Sequence, residues 1–98
     1  MSPIGEEKTI PVKASSDVQA GAVAFLRFLE ERTNPVLAAV GAKAVYRMMR
    51  VSIEAAAMAA RKGYTLRWRT GEFLEPREPG NDDPANQRRV VTMRPVID

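Results

Sequence analysis

Lys43, Arg47 and Arg50 are the residues of this chain whose spacing most readily suggests chemistry. They recur at intervals of three and four, so a helix would carry them as one ridge of cations. Lys43 follows Gly41 by two positions, in the expected first turn of that helix. A cation there opposes the positive end of the helix dipole, at a cost of about 0.3–1 kcal/mol. An anion bound at the helix N-terminus reverses the penalty, and Gly41 lets a phosphate approach the backbone N–H groups closely. A ridge of this kind reads the charge of a phosphate backbone, not the edges of bases. The same residues equally suit the solvated face of a surface helix.

Other candidates surround this ridge. Lys13 precedes Ser15-Ser16-Asp17, a run that supplies N-cap chemistry for the first helix; Ser15 and Ser16 are expected as the caps and could also hold an anion. Arg67 and Arg69 alternate with Leu66 and Trp68, either as plain strand-face charges or as further phosphate contacts. Arg88 flanks the base of the last hairpin. Trp68 falls on the apolar side of its strand, so it reads as core or interface, not as a stacking platform for bases. Met48 and Met49 read as core filler.

The composition narrows the chemistry. The chain has 98 residues, no cysteine and no histidine. That inventory excludes disulfides, thiolate nucleophiles and every triad that uses His as the base. No paired carboxylates, phosphate-binding loop or GxSxG stands at a meaningful position, so no catalysis and no cofactor is expected. Residues 1–8 show neither a basic leader nor an apolar run, and the longest apolar run, Ala55 to Ala60, falls far short of the ~20 residues a bilayer requires. A cytoplasmic protein without membrane contact or small-molecule substrate is the expectation. The formal charge of +3 is unevenly spread. Residues 41–69 hold seven cations against Glu54 alone, a net +6, while residues 1–40 carry −1 and residues 70–98 carry −2.

Hydrophobic periodicity supplies the elements that must position these charges. Residues 1–7 read as a loose tail and 8–98 as one domain. Lys8 to Lys13 alternates as a strand, with Pro11 at an edge or boundary. Val18 to Arg32 repeats at helical spacing with Val18, Ala22, Phe25, Leu26 and Leu29 on one face, until Asn34-Pro35 ends it. Val36 to Val40 is a buried strand. A second helix runs from Gly41 to Arg61, with Val45, Met48, Met49, Ser52, Ala56, Ala59 and Ala60 toward the core and Gly63 at its C-terminus. Tyr64 to Thr70 is a strand, Gly71 a bulge, Pro76 to Gln87 a long flexible connection, and Arg88 to Ile97 the last strand.

The order β-α-β-α-β-β implies an α/β two-layer domain: a four-stranded mixed sheet with two helices on one face. The opposite sheet face is then partly bare, and a homodimer or higher homo-oligomer is expected to cover it.

Four segments carry a resemblance. Val12-Lys13-Ala14-Ser15-Ser16, Ala20-Gly21-Ala22, Val40-Gly41-Ala42-Lys43-Ala44 and Ala59-Ala60-Arg61-Lys62-Gly63-Tyr64 resemble the stage V sporulation protein S (SpoVS) family across most of Lys8 to Val96. That family is similar in fold to the Alba chromatin proteins and is linked to regulation of late spore development. The resemblance implies binding of DNA or RNA, with Gly41, Ala42, Lys43 and Arg47 matching the Alba helix start. Where Alba proteins carry lysines before the first helix this chain has Ala14-Ser15-Ser16. Its hairpin tip carries Glu78, Asp82 and Asp83, which repel phosphate. The expected function is therefore a regulatory protein that binds nucleic acid, largely without sequence specificity, through the second helix. The alternative is a protein-interaction or assembly module of a developmental pathway.

Overall fold

The computed structural model of the chain describes residues 7–97. Its elements are β1 (Glu7–Pro11), α1 (Val18–Glu30), β2 (Asn34–Ala39), α2 (Ala42–Arg61), β3 (Leu66–Pro76) and β4 (Gln87–Ile97), with a 3-10 turn at Pro84–Asn86. The strands lie in the order β1-β2-β4-β3. β1 pairs with β2 in parallel, and β4 runs antiparallel to both β2 and β3. α1 packs on β1 and β2, α2 packs on β2 and β3, and the helices pack on each other. This is the mixed sheet with both helices on one face that the element order implies. Six of the seven residues expected as a tail lie outside the described residues; Glu7 is the first residue of β1. Among the described residues no helix is long and apolar enough to cross a membrane.

Register decides which side chains meet the helices. Leu37 stands opposite Met93 and Ala39 opposite Val91, all on the helix side with Leu66 and Trp68 of β3. Phe25 and Trp68 stack with ring centroids 4.8 Å apart and planes tilted 50°, so Trp68 is a core residue. Phe25, Leu26, Leu37, Met48 and Val51 are fully buried between the layers.

α1 starts at Asp17, whose carboxylate accepts from the Ala20 N–H at 2.8 Å. Ser15 and Ser16 are not the caps. Ser16 instead turns its hydroxyl back to accept from the Lys13 N–H. α1 stops at Glu30, before the expected Arg32, because Arg32 adopts φ 64°. Its N–H donates to Leu29 O and the Thr33 N–H donates to Phe28 O, closing the helix end in a left-handed cap. α2 ends in the same way, with Gly63 N–H to Ala60 O and Tyr64 N–H to Ala59 O.

The buried stripe of α2 is Ala44, Met48, Val51, Ser52, Ala55 and Ala59. Met49 and Ala60, expected in the core, are exposed, Met49 by 52%. Ala44, Val51 and Ala55 are buried in their stead, and α1 approaches closely at Val51: a Cβ on Gly21 would stand 3.2 Å from Val51 Cγ2. Gly71 forms no bulge. The β3–β4 register runs unbroken from Leu66↔Ile97 to Pro76↔Gln87, with Gly71 opposite Thr92. The connection 77–86 is tied at its base by the Arg77 N–H donating to Asn86 O, and Asp83 accepts from the Ala85 N–H within it.

No element covers the opposite sheet face among the described residues. Side chains cover part of it, while Phe73 and Val96 on the same face are 48% and 40% exposed. Arg94 crosses that face, donating to Thr92 Oγ1 and to both carboxylate oxygens of Glu7, and Val36, Val90 and Thr92 are buried there. The largest exposed apolar side chains of the helical layer lie on α2: Tyr46, Met49 and Ile53.

Candidate nucleic-acid interface

β1 and β2 are parallel, so the loop leaving β1 and the N-terminus of α2 emerge at the same end of the sheet. Three contacts fix that loop. The Val12 N–H donates to Ala38 O, the Ser16 N–H donates to Lys13 O, and the Lys13 N–H donates to Ser16 Oγ. Arg47 then reaches from α2 and donates its Nε–H to Ala14 O at 3.2 Å. The helix and the loop are thereby held together.

α2 begins at Gly41 with φ 91° and ψ 153°, a conformation that strongly favours glycine, and no side chain caps it. The first-turn N–H groups are therefore left without a side-chain acceptor. Lys13, Gly41 and Lys43 line one open groove of about 660 Å³, whose far wall is the β3–β4 arm through Phe73, Arg88 and Val90. A smaller hollow of about 340 Å³ is lined by Ala14, Ala42, Lys43, Tyr46 and Arg47. Lys13, Lys43 and Arg50 have no ion-pair partner among the described residues. Arg50 continues the exposed ridge two turns from the helix start.

The remaining sequence-derived candidates do not converge here. Arg88 faces the groove but holds Glu75, Nε to Oε1 at 2.6 Å, so its charge is compensated. Arg67 and Arg69 lie in the first half of β3, on the face turned away from the helices, opposite Val96 and Arg94. Ser15 is exposed, while the Ser16 hydroxyl accepts from Lys13. The acidic tip residues Glu78, Asp82 and Asp83 are exposed on the arm.

One residue escaped the sequence reading. Tyr46 is 64% exposed and stands in the hollow between Lys43 and Arg47. Its signal was present: an aromatic three residues after a lysine and next to an arginine interleaves a stacking surface with cations, the pattern of single-strand binding surfaces. No protein-family model and no curated protein matches the chain, so its function rests on this geometry.

Proposed function

We propose that the chain is a SpoVS/Alba-like, non-enzymatic regulatory protein of the cytoplasm that binds nucleic acid largely without sequence specificity. The observation that carries the proposal is the gathering of Lys13, Lys43 and Arg47 around an uncapped helix N-terminus, with Arg50 extending the ridge. Exposed cations without acidic partners and free N–H groups suit phosphate oxygens, and Tyr46 offers a ring to an unstacked base. Arg47 contributes position as well as charge through Ala14. The paired Arg88 and the acidic arm contribute little.

The test is a salt titration of binding to duplex DNA, single-stranded DNA and RNA. Lys43→Glu with Arg50→Glu removes two phosphate contacts per chain while sparing the Arg47 staple. On duplex DNA the slope of log K against log salt is expected to fall by about 2. Wild-type affinity and slope in that variant would refute the proposal. A second reading, a protein-interaction module, is favoured by the exposure of Tyr46, Met49 and Ile53 on α2. It predicts no nucleic-acid binding by the wild-type chain at physiological salt.

A further inference from the structure

The groove beside Lys13 and Lys43 has an apolar floor that takes no part in holding phosphate. That floor is the sheet face turned away from the helices, at the end where β1 and β2 pass into their loops. Pro11 of β1 pairs with Ala38 of β2, and Phe73 of β3 pairs with Val90 of β4. All four line the groove. Ala38 is its low point, because this small side chain stands between Pro11 on one neighbouring strand and Thr92 on the other. Val40, two residues further and so on the same face, closes the hollow toward α2. Phe73 and Val40 are 48% and 39% exposed.

Charge in this groove is concentrated at one end. Lys13 and Lys43 bring two cations without ion-pair partners among the described residues to the loop end. At the arm end Arg88 and Glu75 neutralise each other. A space of about 660 Å³ with alkyl and aromatic walls and few polar groups has the size and lining of a small-molecule site. Along Pro11, Ala38, Val90 and Phe73 no side chain can hydrogen-bond a sugar hydroxyl or the edge of a base. A polar body would go unpaired there, while an apolar one loses nothing.

We propose that this groove binds a small amphiphilic carboxylate, an anionic head on an unbroken apolar body. The head lies between Lys13 and Lys43, and the body lies over Ala38 and Val90, against Val40 and Phe73. Burial of apolar area supplies the affinity, and the charge-assisted contacts fix the direction in which the ligand lies. The reverse orientation would set the carboxylate beside the already neutralised Arg88–Glu75 pair and an alkyl end beside two lysines. Ala38, Phe73 and Val90 have no part in the proposed nucleic-acid interface, so the carboxylate site stands or falls independently of it.

The test titrates the full chain with decanoate below its micelle-forming concentration, with calorimetry reading affinity and amide chemical shifts reading place. Decanol (the same body without charge), decylammonium (the opposite charge) and adenosine monophosphate (an anion with a polar body) are titrated beside it. Decanoate is expected to saturate one site and to bind about tenfold tighter than decanol, with decylammonium and the nucleotide weaker than decanoate. The shifts should fall in residues 9–14, 38–44, 73–75 and 88–90. Lys13→Ala with Lys43→Ala should bring decanoate down to the affinity of decanol and leave decanol unchanged. Ala38→Phe fills the low point and should abolish binding of both, with circular dichroism as the check on folding. Phe73→Ala, at an exposed position, keeps the test open should that variant not fold, and should weaken decanoate and decanol alike. No saturable decanoate binding, decanol or the nucleotide binding as tightly as decanoate, shifts confined to other residues, or wild-type decanoate affinity in the double-lysine variant or in Phe73→Ala would each overturn the proposal. None of these readouts involves nucleic acid, so the result is separate from that of the salt titration.

Discussion

Replacing Gly21 by alanine tests how the two helices are held together, and with them the loop that carries Lys13. Alanine in a helix interior is favoured over glycine by about 1 kcal/mol, so propensity alone predicts a gain in stability. The new methyl group, however, would stand 3.2 Å from Val51 Cγ2 and 3.3 Å from Cγ1. Val51 is fully buried and sits inside α2, where a β-branched side chain has one strongly preferred rotamer. It cannot turn aside, so the helices must part, and overpacking of this kind costs about 1–3 kcal/mol. Gly21→Ala is therefore expected to destabilise the wild type by about 1 kcal/mol net of the propensity gain. Val51→Ala alone should cost about 2–3 kcal/mol in lost burial and cavity formation. In that background the methyl group added by Gly21→Ala moves into the vacated space, and the same substitution should stabilise by about 1 kcal/mol. Urea unfolding of the four proteins reads this directly as a reversal of sign. A Gly21→Ala effect of the same sign and size in both backgrounds would refute the close-approach argument.

Two further outcomes follow from the helix ends. Arg32 adopts φ 64° in the cap of α1; Arg32→Gly removes that strain and should raise stability by about 0.5–1 kcal/mol in urea unfolding. Tyr64, at the cap of α2, has a buried hydroxyl with no hydrogen-bond partner. Burial first, and Glu30 second, push its pKa above the ordinary tyrosine value, while Lys62 acts in the opposite sense. The folded state then holds its proton more tightly than the unfolded state does, so stability is lost as pH rises through about 10, where the unfolded chain ionises first. Tyr64→Phe should be about 1 kcal/mol more stable than the wild type at neutral pH, with the gap widening above pH 10 in parallel unfolding curves. A gap that stays constant with pH would remove Tyr64 as its source.

The order of elements was legible because each periodic run has a clear stop: Asn34-Pro35 after α1, Gly41 before α2, Gly63 after it. What the sequence hid depends on neighbours. Met49 and Val51 are equally apolar, and only the close passage of α1 past Gly21 selects Val51 for the core. Gly71 carries the signature of a bulge, yet pairing with Thr92 keeps the strand regular. Of the basic candidates, Lys13, Lys43 and Arg47 converge because the parallel β1–β2 pair brings both connections to one end. Arg88 carries the same formal charge, but Glu75 across the hairpin compensates it, a relation that only register reveals.

α2 is divided along its length into surfaces that do not compete. Half of its buried stripe is alanine, Ala44, Ala55 and Ala59 beside Met48, Val51 and Ser52, which allows the helix to lie close to α1 and the sheet. Its outer ridge holds Lys43 and Arg50, and its third flank holds Met49 and Ile53. A helix hydrophobic on both the core side and one flank usually needs a further partner for the second apolar strip. A helix whose remaining side is cationic at its own N-terminus favours an anion there.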